Sequence, residues 1–412
     1  MTKRKMPLAM WICVGLIVGV AAGLVLMAVP NGKDIANGYI KPWGTIFLNL
    51  LKFIVVPIVL FSIASGVISM QDVGKVGSIG VKTIVYYMCT TAFAVLLALL
   101  LGSIAKGMHL FTALETSGLE YTPPEGQSLM DTIVNIFPSN AVAPLVNASM
   151  LQVIVIALLL GFGILLAEEK GLVAAQVVDS LNEVFMRIMD LIIKLSPIGV
   201  ACLICPVVVV NGAEVLGHLA MVLLVAYVGY ILHAAIVYSA TVGGLAGISP
   251  LQFFSGMAPA MMMAFSSASS VGALPLNLEC VERLGARREV ASFVLPLGAT
   301  INMDGTAIYQ GICAVFIATA YGVNLGVGEM ATIVLTATLA SIGTAGVPGA
   351  GMVMLAMVLE SVGLPVEGIA LVAGVDRIFD MGRTTVNITG DAACALIVSK
   401  MEDRKTARTR IR

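Results

Sequence analysis

The sequence predicts an all-α integral membrane protein with eight transmembrane helices and two re-entrant helical hairpins. The 412 residues are 59% hydrophobic and only 11% charged, whereas a soluble domain carries about 25% charged residues. Long apolar intervals before Pro250 satisfy the length of about 20 helical residues that a bilayer crossing requires. Beyond Pro250 the apolar stretches are interrupted by Ser, Gly and Pro at residues 266–275, 302–306 and 341–351.

The uninterrupted intervals are expected to form the first six crossings. They lie near residues 8–29, 44–70, 83–107, 130–167, 175–210 and 215–247. The third to fifth are longer than one crossing requires, so tilts or kinks are expected there. Basic residues concentrate at cytoplasmic span ends, and here they precede the first span and follow the last, at Lys3 and Arg412 for example. Both termini are therefore expected in the cytoplasm, which requires an even number of crossings of the cytoplasmic membrane.

Two of the interrupted segments, 266–275 and 341–351, each separate apolar arms that are too short to span. Non-helical backbone survives at membrane depth only inside protein or beside a wet cavity. We therefore expect residues 251–280 to enter and leave on the cytoplasmic side, and residues 326–362 to do so on the external side. Such segments in corresponding halves are typical of inverted-repeat transporters, which bind substrate near the midplane. The alternative is a pair of Ser- and Gly-rich surface loops.

A third interruption, Asn302-Met303-Asp304-Gly305-Thr306, places a carboxylate inside an apolar stretch. An Asp at the centre of a membrane helix costs ~2.5–3.5 kcal/mol on insertion scales, so it indicates a functional role. Carboxylate, amide and hydroxyl oxygens are the ligands of hard cations. The segment therefore predicts a cation site.

The last apolar span carries a polar stripe. Asp380, Thr384, Asn387 and Asp391 recur at helical spacing on one face, with Arg383 beside them. The guanidinium of Arg383 offers a planar fork for a carboxylate, and Asp380 offers a countercharge for an ammonium. An amino acid with an acidic side chain satisfies both groups. A solvated face of a surface helix is the alternative.

Motifs spread over the whole chain resemble those of the glutamate transporter family, the dicarboxylate/amino acid:cation symporters. They are Tyr-Tyr-x-x-Thr-Thr at 86–91, the Ser-rich segment ending Leu274-Pro275, NMDGT at 302–306, SIGTAGVPGAG at 341–351 and Asp-Met-Gly-Arg-Thr-x-x-Asn-x-x-Gly-Asp at 380–391. This resemblance implies a homotrimer with a scaffold domain that holds the trimer and a transport domain that moves as an elevator. The scaffold would comprise residues 1–75 and 129–212, and the transport domain residues 76–128 and 213–412.

The resemblance also implies the site residues. Sodium ions, the expected coupling ions, would bind to Tyr87, Thr90, Thr91, Gly298, Thr300, Asn302, Met303, Asp304, Ser341, Ile342, Thr344, Asn387 and Asp391. Substrate would contact Ser269, Ser270, Thr306, Val347, Asp380, Arg383, Thr384 and Asn387. No further cofactor is expected, and the net charge of −1 offers no basis for nucleic-acid binding. His109, His218 and His233 lack metal-ligand spacing and are expected to be structural or interfacial.

Two features depart from the family pattern or refine it. Family members often carry an extra arginine near the site, at positions matched here by Ala268 and Met381, while Arg377 lies close by in sequence. Proton-carrying members have a glutamate at the position of Gln310, and a glutamine cannot titrate. The expected function is thus symport of aspartate or glutamate with sodium alone.

Three other functions are alternatives to this one. A proton- or sodium-coupled C4-dicarboxylate symporter of the same fold is the main alternative, but Asp380 would repel a substrate that lacks an ammonium. A passive channel or receptor is a second alternative, although the external segment Gly107–Ser128 is too short for a receptor domain. A membrane enzyme is the third, and no nucleophile or metal motif supports it.

Overall fold

A computed structural model describes residues 8–69, 78–112, 134, 137–212, 214–342 and 350–411, and regular structure within these ranges is helical. The first half contains α1 (Leu8–Met27), α2 (Gly32–Ile35), α3 (Lys41–Ser69), α4 (Ser78–Gly107), α5 (Ala143–Val146), α6 (Met150–Leu166), α7 (Leu172–Lys194), α8 (Ser196–Asn211) and α9 (Glu214–His233). The second half contains α10 (Ser239–Thr241), α11 (Pro250–Ser267), α12 (Ser270–Arg283), α13 (Arg288–Ile301), α14 (Asp304–Ala320), α15 (Val327–Ala340), α16 (Ala350–Ser361), α17 (Ile369–Ala373) and α18 (Asp376–Ile411).

Several helical segments make the chain a multi-pass membrane protein. In the described part, four are long and apolar enough to cross a bilayer: Gly32–Ile68, Ser78–Gly107, Leu216–Ala246 and Arg288–Ala320. The segments Glu168–Lys194 and Ser196–Val210 meet at 51° and add a fifth if they form one bent span. The full set of eight crossings stays a prediction.

Two predicted intervals are not single straight helices. The bend within 175–210 lies where Pro197 opens α8, since proline has no backbone N–H with which to continue the ladder of the preceding helix. The interval 130–167 contains the one-turn α5 and then α6, separated by Ala148, whose φ of 51° is left-handed and incompatible with a continuous helix.

The helices pack in two groups. In the first group, α3 packs against α6, α7 and α8, while α1 runs along α8. The approach of α1 to α8 requires glycine: a Cβ atom at Gly15 would lie 2.2 Å from the carbonyl oxygen of Pro197, and one at Gly19 would lie 2.6 Å from that of Ala201. Small residues four apart permit such close backbone contact in membranes. In the second group, α18 packs against α4, α11, α13 and α14.

Two helix pairs in the second group have short arms. Helices α11 and α12 pack on each other and are joined at Ala268 and Ser269, and Ala268 adopts a left-handed φ of 49°. Helices α15 and α16 have 14 and 12 residues and also pack together. Both lengths fall short of the roughly 20 residues that a crossing needs. Residues 343–349, which link α15 to α16, lie outside the described part.

Helix α9 continues in an unusual way. Beyond His233 the chain forms π-helical segments at Ala234–Tyr238 and Val242–Ala246, separated by the short α10. A π-helical turn contains an extra residue and therefore rotates the following side chains relative to a regular α-helix. These turns lie beside the buried polar cluster described below.

An ion pair joins the two groups of helices. Lys52 of α3 contacts Glu367, which lies in a 3-10 turn before α17, with 2.7 Å between Nζ and Oε1. Partial burial acts to raise the pKa of Glu367, but the hydrogen bond and the charge of Lys52 outweigh it and hold this pKa below its usual value. Both side chains are 37% exposed, so the pair contributes little to stability.

Candidate cation and substrate site

The site begins where the backbone leaves the helix between α13 and α14. Asn302 is extended, with φ −89° and ψ 105°, and Met303 has φ −125° and ψ 40°. Helix α14 therefore starts at Asp304, which is fully buried. A carboxylate is favoured at a helix N-terminus because the first N–H groups carry partial positive charge. The predicted interruption at 302–306 is thus confirmed, and it spans only two non-helical residues.

Both carboxylate oxygens of Asp304 accept hydrogen bonds. On α4, the hydroxyl of Thr91 lies 2.7 Å from Oδ1 and that of Thr90 lies 3.2 Å from it. On the other side, the Tyr238 hydroxyl donates to Oδ2 at 2.8 Å, and Nε2 of His233 lies 3.1 Å from the same atom. The resemblance implied Thr90 and Thr91 at this site, whereas His233 and Tyr238 were not among the predicted site residues.

A second buried carboxylate, Asp391, lies close to the same interruption. The side-chain amide of Asn302 donates to Oδ1 of Asp391 at 2.9 Å and to the carbonyl oxygen of Asn387 at 2.8 Å. The other amide atom, Oδ1 of Asn302, is buried and has no hydrogen-bond partner among the described residues. An unsatisfied buried oxygen costs about 1–3 kcal/mol, and a hard cation satisfies such an oxygen.

Glycine gives this part of the site its space. A Cβ atom at Gly298 would lie 2.3 Å from Oδ1 of Asp391 and 2.5 Å from the hydroxyl oxygen of Tyr87. That hydroxyl donates to the carbonyl oxygen of Val294 at 3.2 Å. A carboxylate oxygen and a phenol oxygen therefore lie where the side chain of any larger residue at position 298 would begin.

Asn387 ties α18 to the start of α14. Its Oδ1 atom accepts a hydrogen bond of 2.8 Å from the backbone N–H of Gly305. Its Nδ2 atom lies 3.3 Å from the sulfur of Met303 and 3.4 Å from the hydroxyl oxygen of Thr306. One side chain thus holds together residues predicted to bind sodium and residues predicted to bind substrate.

The predicted substrate groups of α18 form a buried cluster of charges. Nε of Arg383 donates to Oδ1 of Asp380 at 2.9 Å, and the Thr384 hydroxyl donates to the same atom at 3.3 Å. Nη1 of Arg383 donates to Oδ1 of Asp376 at 3.0 Å. The guanidinium also lies over the ring of Tyr309, 4.9 Å from its centre, which is within range of a cation–π contact. Asp376 was absent from the predicted site, although its spacing of seven residues from Arg383 places both on one helix face.

The hydroxyls of the remaining predicted site residues bond locally. Ser269 caps α12 by accepting a hydrogen bond of 3.1 Å from the N–H of Gly272, and Ser270 is buried beside it. The hydroxyl of Thr300 donates to the carbonyl oxygen of Leu297, and that of Ser341 donates to the carbonyl oxygen of Thr338.

Three predicted residues lie at or beyond the end of α15. Ile342 is the last described residue there and is buried. Thr344 and Val347 lie outside the described residues, so their predicted roles stay predictions.

Comparison with known proteins gives one consistent result over the whole chain. A model of the sodium:dicarboxylate symporter family matches residues 8–401. A proton/sodium-glutamate symport protein of Bacillus subtilis (strain 168) is 35% identical over 409 residues, which cover 98% of this chain and 94% of the relative. A proton/glutamate-aspartate symporter of Escherichia coli (strain K12) is 34% identical over 99% of this chain and 96% of its own. A C4-dicarboxylate transport protein of Bacillus subtilis is 32% identical over 96% of this chain and 94% of its own. The chain therefore belongs to the sodium:dicarboxylate symporter family, whose members are secondary transporters and not enzymes.

Proposed function

We propose that this protein couples sodium movement to the uptake of aspartate or glutamate across the cytoplasmic membrane. One observation carries the proposal: Arg383 and Asp380, a fork for a carboxylate and a countercharge for an ammonium, lie 2.9 Å apart in a buried cluster. Asn387 lies one turn farther along the same helix and contacts the start of α14, where Asp304 is located. Substrate and cation would thus share ligands, and a shared ligand couples the binding of one to the binding of the other.

The cation part of the proposal rests on the buried oxygens. Asp304 and Asp391 are two carboxylates in protein interior, where an isolated ionised carboxylate is strongly disfavoured unless paired or bound to a cation. Hydroxyls of Thr90 and Thr91 and the unpartnered Oδ1 of Asn302 supply neutral oxygens nearby. In the residues described, groups of three or more His, Cys, Asp or Glu suited to a transition metal are absent. An oxygen-rich site of this kind favours sodium.

The C4-dicarboxylate alternative remains the second candidate, because a relative carries that name. Asp380 disfavours it here. A substrate that has two carboxylates and no ammonium would add negative charge beside Asp376 and Asp380, which already share Arg383. Like charges a few ångströms apart in a poorly solvated site repel strongly.

The mechanism we propose is an elevator within a homotrimer. Residues 1–75 and 129–212 would form the scaffold, and residues 76–128 and 213–412 would form the moving transport domain. The whole chain would have eight crossings, two re-entrant pairs and cytoplasmic termini. The two packing groups support this division. Spin labels at Val184 on α7 and Val271 on α12, both exposed, test it. In protein diluted with unlabelled chains, sodium and aspartate should shift their distance distribution, and an unchanged distribution would contradict a moving domain.

The transport function is tested by uptake into proteoliposomes. Labelled aspartate, glutamate and succinate are each offered with and without an inward sodium gradient. We expect accumulation of aspartate or glutamate that needs the gradient, with succinate much weaker. Equal succinate uptake would favour the dicarboxylate alternative, and uptake independent of any ion gradient would exclude a symporter.

A further inference from the structure

Arg377 joins two parts of the molecule that the proposed mechanism treats separately. It lies in the first turn of α18, and its Nη2 atom donates to the carbonyl oxygen of Ser267 at 3.0 Å. Its Nη1 atom lies 3.9 Å from Oδ2 of Asp380. A single guanidinium therefore links the tip of the α11–α12 pair to the carboxylate proposed to bind the substrate ammonium.

At the α11–α12 tip, the C-terminal end of α11 favours a positive charge. Ser267 is the last residue of α11, and the last carbonyls of a helix have no partner within it and carry partial negative charge. Ala268 then turns the chain with a left-handed φ of 49°, an uncommon conformation for a residue with a side chain. Arg377 thus caps α11 from a different helix and stabilises the tip.

The Asp380 end of the link is weaker. Arg383 contacts Oδ1 of Asp380 at 2.9 Å, is only 2% exposed and is also held by Asp376. Arg377 contacts Oδ2 at 3.9 Å, beyond hydrogen-bond distance, and is 20% exposed. Of the two guanidiniums beside Asp380, Arg377 is therefore the one that an incoming cation can replace.

We propose that Arg377 acts as an internal cation for Asp380 that competes with the substrate ammonium. When the ammonium reaches Oδ2, Arg377 gives up this carboxylate and retains the carbonyl of Ser267. Occupancy of the site is thereby communicated to the α11–α12 tip. Arg377 is a positioning residue in this scheme, and its role rests on the proposed function. Arg377 also adds positive charge beside Asp380. This charge lessens the repulsion between Asp380 and ligands that have no ammonium.

The substitution Arg377→Gln separates this role from a structural one. Glutamine keeps an amide donor for Ser267 but removes the charge. Aspartate should then bind about fivefold more tightly, because its ammonium no longer has to displace a partly exposed guanidinium that lies 3.9 Å from Oδ2 of Asp380. Succinate, which has no ammonium, should compete more weakly, because Asp380 has lost its second cation. A variant that is merely misfolded weakens both ligands together.

The measurement is sodium-dependent binding of aspartate to the purified full chain, with succinate as competitor. In Arg377→Lys, the ratio of the aspartate affinity to the succinate affinity should stay near that of the unsubstituted chain, since lysine keeps the charge. Arg187→Gln, at an exposed arginine on α7 paired with Glu183, is the matched control and should change neither affinity. An unchanged ratio in Arg377→Gln would overturn the role of Arg377. An unsubstituted chain that binds no acidic amino acid would instead contradict the proposed function.

Discussion

Asp376 lies two helical turns before Arg383 on α18, and its Oδ1 atom accepts a hydrogen bond of 3.0 Å from Nη1 of that arginine. Asp380 accepts from Nε of the same guanidinium at 2.9 Å. Two carboxylates on one helix therefore hold the guanidinium of Arg383 in one orientation. Such preorganisation lowers the cost of ordering the side chain on binding.

The first prediction concerns Arg383 itself. Arg383→Cys should abolish uptake of labelled aspartate and glutamate, because it leaves the substrate carboxylate unpaired beside Asp376 and Asp380. Losing one partner of a buried charge pair costs ~2–5 kcal/mol, so affinity should fall ~30-fold or more. Uptake of labelled serine is measured in parallel, since a small neutral amino acid has no side-chain carboxylate for Asp376 and Asp380 to repel. An unchanged aspartate affinity would remove Arg383 from the site.

The second prediction concerns Asp376, which orients the guanidinium of Arg383. Asp376→Asn should weaken aspartate binding by about 10- to 100-fold, because a hydrogen bond to a charged group contributes about 1.5–3 kcal/mol, and Arg383 loses its orientation. Glu183→Gln on α7 makes the same carboxylate-to-amide change in an exposed ion pair and should alter affinity little. Equal or tighter aspartate binding in Asp376→Asn would show that Asp376 does not orient the guanidinium.

The third prediction separates cation ligands from substrate ligands. Asp304→Asn and Asp391→Asn should each raise the sodium concentration for half-maximal uptake about tenfold or more, with the ratio of aspartate to glutamate uptake unchanged. The reason is that each substitution removes a full negative charge from a buried oxygen cluster. Asp179→Asn, at an exposed carboxylate bonded to Ser65, is the control. Normal sodium activation with altered amino acid preference would reverse the assignment.

The fourth prediction uses the space at Gly298. Gly298→Ala should impair sodium activation, since its Cβ atom would displace Oδ1 of Asp391 or the hydroxyl of Tyr87. Overpacking of this kind costs about 1–3 kcal/mol. Gly163→Ala in α6 is the matched control, because a Cβ atom there meets nothing within 4 Å. If both variants show the same sodium dependence, the cluster around Gly298 does not bind the ion.

The fifth prediction concerns protons. Gln310 lies six residues after Asp304 on α14 and is 2% exposed. Because glutamine cannot titrate, we expect transport driven by sodium without obligatory proton movement. Proteoliposomes that contain a pH dye are held at fixed voltage and sodium gradient, and aspartate is added. The lumen should keep its pH, and Gln310→Glu should introduce pH-dependent uptake.

Substrate-dependent acidification in the unsubstituted chain would contradict this expectation. The Escherichia coli relative, whose name includes a proton, serves as the positive control for the dye. The comparison is informative because the two chains are aligned over nearly their full lengths.

Features that depend on one helix could be predicted from the sequence. Asp380, Thr384, Asn387 and Asp391 recur at helical spacing on α18, and the structure buries all four side chains. Asp376 obeys the same spacing. It was not among the predicted site residues.

Features that depend on distant segments could not be predicted in this way. His233 and Tyr238 reach Asp304 from 71 and 66 residues away. The direction of the Tyr238 side chain depends on the π-helical turn at Ala234–Tyr238. A regular α-helical period of 3.6 residues does not predict the rotation that this turn introduces. Kinks were expected within the interval 130–167, but the position of the break between α5 and α6 could not be predicted, since an alanine at position 148 gives no turn signal.

The segment Arg288–Ala320 is apolar enough to cross a membrane, yet the most apolar part of it is 100% buried inside protein. During synthesis, however, its neighbours are not all present. Asn302 is paired in the folded protein with Asp391, which lies 89 residues farther along the chain. At about 5–20 residues per second, the ribosome needs roughly 4–18 seconds to make that partner. For this interval the polar interruption at residues 302–306 has to remain in water, in the insertion machinery or against the earlier helices α4 and α9. The protein can bury these polar groups only when its last helix, α18, has been made.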